Sequence, residues 1–344
     1  MAELNIARDG VLCPPFLAPD APALPPPSDT VVSCYDNRVP PFAEPELERL
    51  YRSIHATAGM FRFDGSIASA NTYAARRNGE HVSLLLYRRE RSIVTVLNRS
   101  ISIGGEEIER FADTIFRRYR KVSAIVFNAV QPDIRNISYP CQRHRCGEDI
   151  VATLPHSPEV YFASLGKDMR VTIERCRERL AREYPSFRFQ AFVNDEADEH
   201  RIRALYRLRH AGMETAGQAS SASADEIERI VKLVKTHGLV TIATIDGRVC
   251  GGMVCWRAGD NYFVHTIAHD AQYDGLDLDT LCCHDTIREC IERGGKAFHF
   301  SPGRMPHKFR FLGTERPYDR IVVYRSRLRL LQNPRLALKT ALRR

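Results

Sequence analysis

Residues 239–275 have the sequence LVTIATIDGRVCGGMVCWRAGDNYFVHTIAHDAQYDG, and this stretch decides the fold. Three runs rich in apolar and β-branched residues alternate with two glycine-containing turns: Leu239–Ile245, Asp246-Gly247, Val249–Arg257, Gly259-Asp260 and Tyr262–His269. Asp-Gly and Gly-Asp pairs adopt the positive φ angles that tight hairpins require. The stretch therefore predicts three consecutive antiparallel strands.

A helix and two further strands are predicted after these three strands. Residues 279–293 have helical periodicity and are followed by Gly294-Gly295, a pair typical of the positions just past a helix end. The apolar runs Ala297–Ser301 and Tyr318–Tyr324 predict strands. Three helices are predicted before the first strand: Met169–Arg182, Glu196–Gly212 and Asp225–Thr236.

The N-terminal half shows a similar order of patterns. A helical pattern from Pro45 is followed by two strand-like runs, a helix and a third strand-like run: His81–Tyr87, Ser92–Leu97, Glu106–Tyr119 and Ser123–Ala129. We therefore predict an α/β (α+β) chain with two domains, residues 41–155 and 156–326, each a mixed, mostly antiparallel sheet flanked by helices. Prolines crowd residues 13–29, so residues 1–40 are predicted to be a disordered leader.

Composition places the chain among ordinary globular proteins. Of its 344 residues, 44% are hydrophobic and 27% are charged. No apolar run approaches the roughly 18 residues that a membrane-spanning helix needs. The N-terminus lacks a basic segment followed by a long apolar core, which favours the cytoplasm as the compartment.

The ten cysteines predict buried thiols rather than a disulfide framework, because the chain is long and no secretion signal is evident. Cys141, His144 and Cys146 are three candidate zinc ligands within six residues. They lack the paired C-x-x-C spacing of structural zinc sites, so we expect no metal site.

The net charge of +8 is concentrated at the C-terminus. Residues 320–344 contain eight arginines and lysines and no acidic residue, which leaves 42 basic and 42 acidic residues in the remainder. An electroneutral body argues against a general nucleic-acid surface. Residues 327–344 are predicted to be a basic tail, either simply solvated or able to bind an anionic lipid, RNA or acidic protein.

The turn after the third strand, Gln272-Tyr273-Asp274-Gly275, has the pattern Gln-x-x-Gly. A three-strand meander that feeds a helix through such a turn resembles the acyl-CoA-binding core of the GCN5-related N-acetyltransferase (GNAT) superfamily. There the turn presents backbone N–H groups and a helix N-terminus to the cofactor's pyrophosphate. The resemblance implies that Gln272 and Gly275 bind acyl-CoA, most readily acetyl-CoA.

Residues 300–313, FSPGRMPHKFRFLG, resemble the closing segment of the polysaccharide-associated acetyltransferase-like family, which is related to Fem-type aminoacyl transferases. That family has a glycine, then a lysine followed by an aromatic residue and a glycine. The helix Ser164–Arg182, followed by residues Leu205–Gly212, resembles its entry region, so the likeness covers about residues 160–326. Members tend to be two tandem GNAT-like units. The N-terminal unit shows no cofactor turn and is expected to be degenerate.

The resemblance implies direct attack of an acceptor amine or hydroxyl on a thioester, with a backbone N–H within Thr266–His269 stabilising the oxyanion. His265 and His269 are four residues apart on the predicted strand, so we expect both on one face, where a neutral imidazole could act as the base. Tyr273 is a candidate acid for the leaving thiolate. Each of these residues could instead have an ordinary packing role.

Further candidates follow from the same resemblance. Thr266 and Ala268 are expected to contact the cofactor. Lys308 and Arg310 could bind an anionic acceptor or the cofactor's phosphates, with plain surface positions as the alternative. Glu214 is a candidate base on the acceptor side.

One feature departs from the family pattern. Four aspartates surround the expected pyrophosphate turn, at positions 270, 274, 277 and 279. Carboxylates stabilise a helix N-terminus but repel a dianion, so either they point outward as caps or the protein does not hold CoA in the usual way.

Three functional hypotheses result. The first is an acyl-CoA-dependent N- or O-acyltransferase acting on an amino sugar, an amino acid or a biosynthetic intermediate, for example in polysaccharide biosynthesis. The second is a Fem-type transferase that takes its acyl group from aminoacyl-tRNA. The third is a non-catalytic GNAT-like assembly protein that binds a partner through its tail.

Overall fold

The computed structural model describes residues 30–133, 137–215, 217, 222–334 and 336 of the chain. Within these residues it contains thirteen strands and ten α-helices. Twelve of the strands form one continuous mixed sheet, and the short strand β5 pairs with β6 beside it. Helices cover both faces of this sheet, which gives a mixed α/β fold.

The N-terminal unit begins with a strand and two helices and continues through three antiparallel strands, a helix and two longer strands. Its elements are β1 (Thr30–Tyr35), α1 (Ala43–Tyr51), α2 (Ala58–Phe63), β2 (Asn71–Arg77), β3 (Glu80–Glu90), β4 (Ile93–Val96), β5 (Ser102–Gly104), α3 (Gly105–Arg118), β6 (Ala124–Asp133) and β7 (Cys141–Thr153).

The C-terminal unit has the same order after two linking helices. Its elements are α4 (Pro158–Ser164), α5 (Lys167–Glu183), β8 (Arg188–Val193), α6 (Glu199–Thr215), α7 (Ala224–His237), β9 (Gly238–Ile245), β10 (Arg248–Ala258), β11 (Asn261–His269), α8 (Leu278–Glu292), β12 (Ala297–His299), α9 (Pro306–Arg310), β13 (Thr314–Tyr324) and α10 (Arg327–Leu331).

The two units are therefore two copies of one arrangement: a strand, two helices, a three-strand meander, a helix and a strand parallel to the last meander strand. In the N-terminal unit β4 pairs in parallel with β6, and in the C-terminal unit β11 pairs in parallel with β12. The predicted fold class, with two tandem units, is confirmed.

The units exchange their final strands at the centre of the sheet. The strand order is β1-β2-β3-β4-β6-β13-β7-β12-β11-β10-β9-β8. β13, from the C-terminal unit, lies between β6 and β7, while β7 pairs with β12 of the C-terminal unit. Because each unit completes the other's sheet, the junction between them is built from main-chain hydrogen bonds rather than from surface contacts alone.

The predicted meander is confirmed, with boundaries that differ by one residue at most. Asp246 and Gly247 have φ angles of 49° and 75°, as a tight hairpin turn requires. Five strands were not predicted: β1, β2, β5, β7 and β8. Of these, β7 contains the Cys-Gln-Arg-His-Arg-Cys segment, whose polar alternating pattern gave no signal of a strand at the centre of a sheet.

The predicted chain ends need correction. Strand β1 pairs antiparallel with β2, so the leader predicted for residues 1–40 is wrong for residues 30–35; residues 1–29 lie outside the described residues. Half of the predicted basic tail, residue 335 and residues 337–344, also lies outside them. Arg325, which contributed to the basic cluster, donates to the carbonyl oxygens of Val122 and Tyr119 at 2.7 and 2.6 Å and so anchors the end of β13.

Candidate active site

A β-bulge in β11 lies at His265. Across the β10–β11 pair, Cys255 is opposite Val264 but Val254 is opposite Thr266, so His265 is an extra residue on its strand. An extra residue shifts the alternation of side chains by one position. The bulge therefore changes which face of the sheet each later residue of β11 occupies.

The prediction that His265 and His269 share one face is wrong for this reason. His265 packs against Trp256, with ring centroids 4.7 Å apart, on the face covered by α6. His269 pairs with Gly251, whose α-hydrogen faces Cys282 of α8 on the opposite side. The two imidazoles therefore lie on opposite faces, because sequence spacing alone cannot reveal a bulge between them.

Strands β11 and β12 separate after a short stretch of pairing. Only residues 261–263 of β11 pair with residues 297–299 of β12. Phe300 then stays with β7, its N–H donating to the Ile150 carbonyl at 2.8 Å, while β11 continues away to His269. The divergence leaves a wedge-shaped opening in the sheet beside residues 264–269.

The corresponding position in the N-terminal unit is closed. After β4 the chain remains bonded to β6: the Ser100 N–H donates to Ala129, the Gln131 N–H donates to Ile101, and β5 then pairs with β6. No comparable opening forms between these strands in the described chain. The prediction that the N-terminal unit is degenerate remains a prediction, and this closed position is consistent with it.

The opening leads into a cleft of about 530 Å³. Its walls are α6, β11, the first turns of α8 and the segment from Phe300 to Phe311. The cleft brings together several of the predicted residues, namely His265, Thr266, Ala268, His269 and Lys308. A cavity of this size is in the range that binds small-molecule ligands.

Two backbone N–H groups of β11 are directed at the opening. The Asp270 N–H donates to the Cys250 carbonyl of β10 at 2.9 Å. Main-chain groups in an antiparallel pair alternate in direction along the strand, so the N–H groups of Ile267 and His269 point away from β10. Within the predicted range of residues 266–269, this alternation favours Ile267 and His269 as oxyanion donors over Thr266 and Ala268.

The Gln-x-x-Gly turn is a single 3₁₀ helix, Ala271–Leu276. The Asp270 carboxylate accepts from the Gln272 N–H at 3.1 Å, so that amide is already occupied. The Gly275 carbonyl accepts from Arg179 at 2.6 Å. Asp277, with a φ of 53°, is the residue that precedes α8. The first turn of α8, rather than the Gln-x-x-Gly turn, faces the cleft.

The four aspartates around the turn have different partners. Asp270 caps the 3₁₀ helix, Asp274 accepts from His269 Nε2 at 2.8 Å, and Asp277 forms an ion pair with Arg175 at 3.1 Å. Asp279 lines the cleft from the first turn of α8. Three carboxylates thus have partners within the protein, and the fourth faces the cleft.

His265 lies where the cleft meets a second cavity. Burial, reinforced by Arg209, lowers its pKa to about 4, so the imidazole is neutral near pH 7. Arg209 reaches across from α6 to donate to the Thr266 hydroxyl beside it. A neutral imidazole here can accept or donate a hydrogen bond, but its low pKa makes it a weak base.

The low pKa of His265 predicts an acid-sensitive stability. The unfolded chain takes up this proton near pH 6.5 and the folded chain only near pH 4, so stability is complete above pH 6.5 and is lost as the pH falls towards 4. We expect this histidine to lower the free energy of unfolding of the wild type by about 2 kcal/mol at pH 5 relative to pH 7.5. Urea unfolding at both pH values should show a smaller acid loss for both His265→Phe and His265→Gln. An undiminished acid loss in both variants would contradict the assignment.

The remaining predicted residues lie elsewhere. Tyr273 packs edge to face on Tyr184, with ring centroids 5.5 Å apart, and is not among the residues of either cavity wall. Arg310 is exposed outside the cleft. Glu214 lies beside His210 at 3.3 Å on the outer part of α6. The structure therefore does not bring these three together with the histidines.

Lys308 is buried rather than being a surface or ligand-binding lysine. Its Nζ donates to the carbonyl oxygens of Ser301, Pro302 and Gly303 at 3.0, 3.0 and 2.9 Å. All three donors of the ammonium group are used, so none is left for an anionic ligand. Lys308 instead fixes the loop that forms one edge of the opening.

A second cavity of about 540 Å³, which no sequence pattern indicated, lies between the two units. It shares Val264, His265 and Ser301 with the cleft. Its polar end contains Asp149 and His299, which are 150 positions apart in the chain. Neither residue belongs to a local motif, so only the exchange of β7 into the C-terminal sheet brings them together.

The three candidate zinc ligands of the sequence all lie on β7. His144 and Cys141 are three positions apart on β7 and therefore face opposite sides of the sheet. Within the described ranges, no group of three potential ligands is close enough to hold a metal.

Across the described ranges of the chain, no helix combines the length and apolarity needed to cross a membrane.

Comparisons with known proteins agree with this geometry. A family model described as an acetyltransferase (GNAT) domain matches residues 167–309. The crystal structure of FemX is similar with a TM-score of 0.65 and 9% identity, covering 85% of this chain and 97% of FemX. L-PGS from Bacillus licheniformis is similar with a TM-score of 0.51 and 12% identity, covering 90% of this chain and 99% of L-PGS. A search among curated proteins found no match.

Proposed function

We propose that this chain, whose residues 167–309 match a family model of an acetyltransferase (GNAT) domain and whose fold is similar to that of FemX, transfers an acyl group from a thioester to an amine or hydroxyl acceptor. The observation that carries the proposal is the separation of β11 from β12 after residue 263, next to the first turn of α8. We assign the donor site to residues 156–326.

The proposed reaction uses the opening to place the acyl carbonyl against β11. The donor occupies the cleft, and its carbonyl oxygen accepts from the N–H groups of Ile267 and His269. Fixed amides at this position stabilise the negative charge that develops on the oxygen as the acceptor attacks. His265, at the junction with the second cavity, contacts the reacting groups as a neutral imidazole.

Acyl-CoA is the first donor to test, because the cleft and the N-terminus of α8 together suit a thioester and an adjoining phosphate. Thr280 lines the cleft from α8, and a tryptophan there should fill it. We expect wild-type protein to bind acetyl-CoA saturably in calorimetric titration, and Thr280→Trp to bind on the order of tenfold more weakly or worse.

The matched control is Val171→Trp, which adds the same ring to an exposed position of α5 where the native side chain is 49% exposed. It should bind acetyl-CoA as the wild type does. A wild-type protein that binds neither acetyl-CoA nor a longer acyl-CoA would reject acyl-CoA as the donor.

A second donor, aminoacyl-tRNA, is favoured by one observation. Asp279 lies in the first turn of α8 and faces the cleft. Two nearby arginines of α5 already have partners: Arg175 pairs with Asp277, and Arg179 donates to the Gly275 carbonyl. A carboxylate there repels a pyrophosphate. A donor whose phosphates lie elsewhere avoids this repulsion.

Salt dependence separates the two donors. Transfer from aminoacyl-tRNA should weaken steeply between 50 and 200 mM salt, by about a thousandfold if six or more phosphates are contacted. Transfer from acyl-CoA should change far less. The measurement is the initial rate with each donor across that salt range, and equal slopes would reject the tRNA hypothesis.

A further inference from the structure

The cavity between the two units contains a buried aspartate–histidine pair. His299 of β12 and Asp149 of β7 are 8% and 6% exposed, and His299 Nδ1 is 2.6 Å from Asp149 Oδ2. The Tyr318 hydroxyl donates to the same carboxylate oxygen at 3.4 Å. The imidazole stacks on Phe263, with ring centroids 4.2 Å apart. The ring is thus held by Asp149 at its Nδ1 edge and by Phe263 on one face.

The strand exchange produces this pair. His299 is opposite Val151 in the β12–β7 ladder, and Asp149 lies two residues from Val151 on the same face. Asp149 is also opposite Arg316 in the β13–β7 ladder. One unit therefore supplies the carboxylate and the other supplies the imidazole, both from central strands of the sheet.

Two atoms of the pair have no hydrogen-bond partner among the described residues, although both are buried: His299 Nε2 and Asp149 Oδ1. Buried polar atoms without partners are uncommon and cost free energy. A histidine whose Nδ1 is held by a carboxylate, and whose Nε2 is unused, has the arrangement of a general base oriented by an acid.

The remaining walls of the cavity indicate the class of molecule that fits. Much of the lining is apolar or aromatic: Met60, Phe63, Trp256, Phe263 and Val264. Its charged groups are the carboxylates of Glu148 and Asp149 and one guanidinium, Arg99, which is already paired with Asp64 at 3.4 Å. This balance of charge disfavours an anionic ligand and accommodates an apolar body with a neutral or cationic end.

The cavity also reaches the proposed acyl donor. Val264, His265 and Ser301 line both this cavity and the cleft, at the point where β11 and β12 separate. A molecule bound between the units therefore has access to a carbonyl held on β11. The two cavities together provide separate entries for a donor and an acceptor.

We propose that the cavity between the units binds an amphipathic amine or alcohol as the acyl acceptor, and that His299, oriented by Asp149, is the catalytic base. This inference rests on the proposed acyl transfer. The acceptor nitrogen or oxygen forms a bond to the acyl carbon, its proton passes to His299 Nε2, and the carbon–sulfur bond breaks with its electron pair leaving on the thiolate. Asp149 is a positioning residue that stabilises the imidazolium.

Acceptor binding can be followed without knowing the natural acceptor, because Trp256 is the single tryptophan of the chain and lines this cavity. We expect phenethylamine and hexylamine to change its fluorescence saturably, and the anionic amine glucosamine 6-phosphate to have no such effect. A saturable response to glucosamine 6-phosphate alone would overturn the proposed acceptor class.

The base is tested by steady-state transfer from acetyl-CoA to phenethylamine. His299→Gln should lower kcat about 100-fold or more, while calorimetry shows unchanged acetyl-CoA binding. Free imidazole should restore part of the activity of His299→Ala, which a purely structural role would not allow. Asp149→Asn should lower kcat with little change in KM, and the double variant should be no slower than His299→Gln because the two residues act as a unit.

The outcomes distinguish the two proposals. If the wild type binds acetyl-CoA but His299→Gln transfers at the wild-type rate, the dyad is not the base and the proposed acyl transfer still stands. If the wild type binds acetyl-CoA but transfers to neither amphipathic amine, the acceptor assignment is overturned. If the wild type binds no acyl-CoA at all, the proposed donor is rejected.

Discussion

Ile267→Pro is expected to bind the acyl donor and to transfer its acyl group about 100-fold to 1,000-fold more slowly than the wild type, the loss that follows removal of one oxyanion donor. Proline lacks the N–H that Ile267 directs into the opening between β11 and β12. Proline is tolerated in a strand where the N–H is not part of the ladder. The opening is such a place, because β12 pairs with β11 only as far as Phe263.

The measurement is kcat and KM for acetyl transfer, together with the acetyl-CoA affinity from calorimetry. Ile267→Val is the matched control, since it shortens the side chain and keeps the N–H; its kcat should stay near the wild-type value. Because the Ile267 side chain is 39% exposed, its replacement should cost little stability. A proline variant with wild-type kcat would show that the oxyanion is stabilised elsewhere.

Gly252→Ala is expected to destabilise the C-terminal unit by about 3 to 4 kcal/mol, combining backbone strain with overpacking. Gly252 has a φ of 151°, and a Cβ there would lie 2.0 Å from the carbonyl oxygen of Thr241. It would also approach Leu205 of α6. The glycine therefore allows β9 and α6 to lie close to β10, directly opposite Ala268 in the strand that forms the site.

Urea unfolding followed by circular dichroism measures this effect. Gly104→Ala is the control, because an added methyl group there meets no atom within 4 Å. The control should unfold within about 0.5 kcal/mol of the wild type. A Gly252→Ala protein as stable as the control would mean that β9 and β10 can separate at no cost.

Much of the C-terminal fold was predictable because its signals are local. Two turn dipeptides and three β-branched runs define the meander, and helical periodicity with Gly294-Gly295 defines α8. The N-terminal unit was predicted with less detail: β7 was missed because its segment from Cys141 to Gly147 is polar, although it lies in the centre of the sheet.

The candidate site was predictable only in part, because the position of a residue along a strand does not determine its face when a bulge intervenes. His265 and His269 were both found as candidates, yet the bulge places them on opposite sides of β11. Lys308 was found as a motif residue, yet three carbonyl oxygens occupy its donors. In the first case an extra residue in the ladder decides the face, and in the second the loop of residues 301–303 folds back onto the lysine.

The sequence by itself determined the three-strand meander, the helix α8 that follows it, the turn between them and the resemblance to an acyltransferase, because short-range patterns encode each of these. Only the tertiary structure decided where β11 and β12 separate, which N–H groups face the opening, and that Asp149 meets His299. These depend on strand register and on the exchange of β7 and β13, which arise from pairing between segments far apart in the chain.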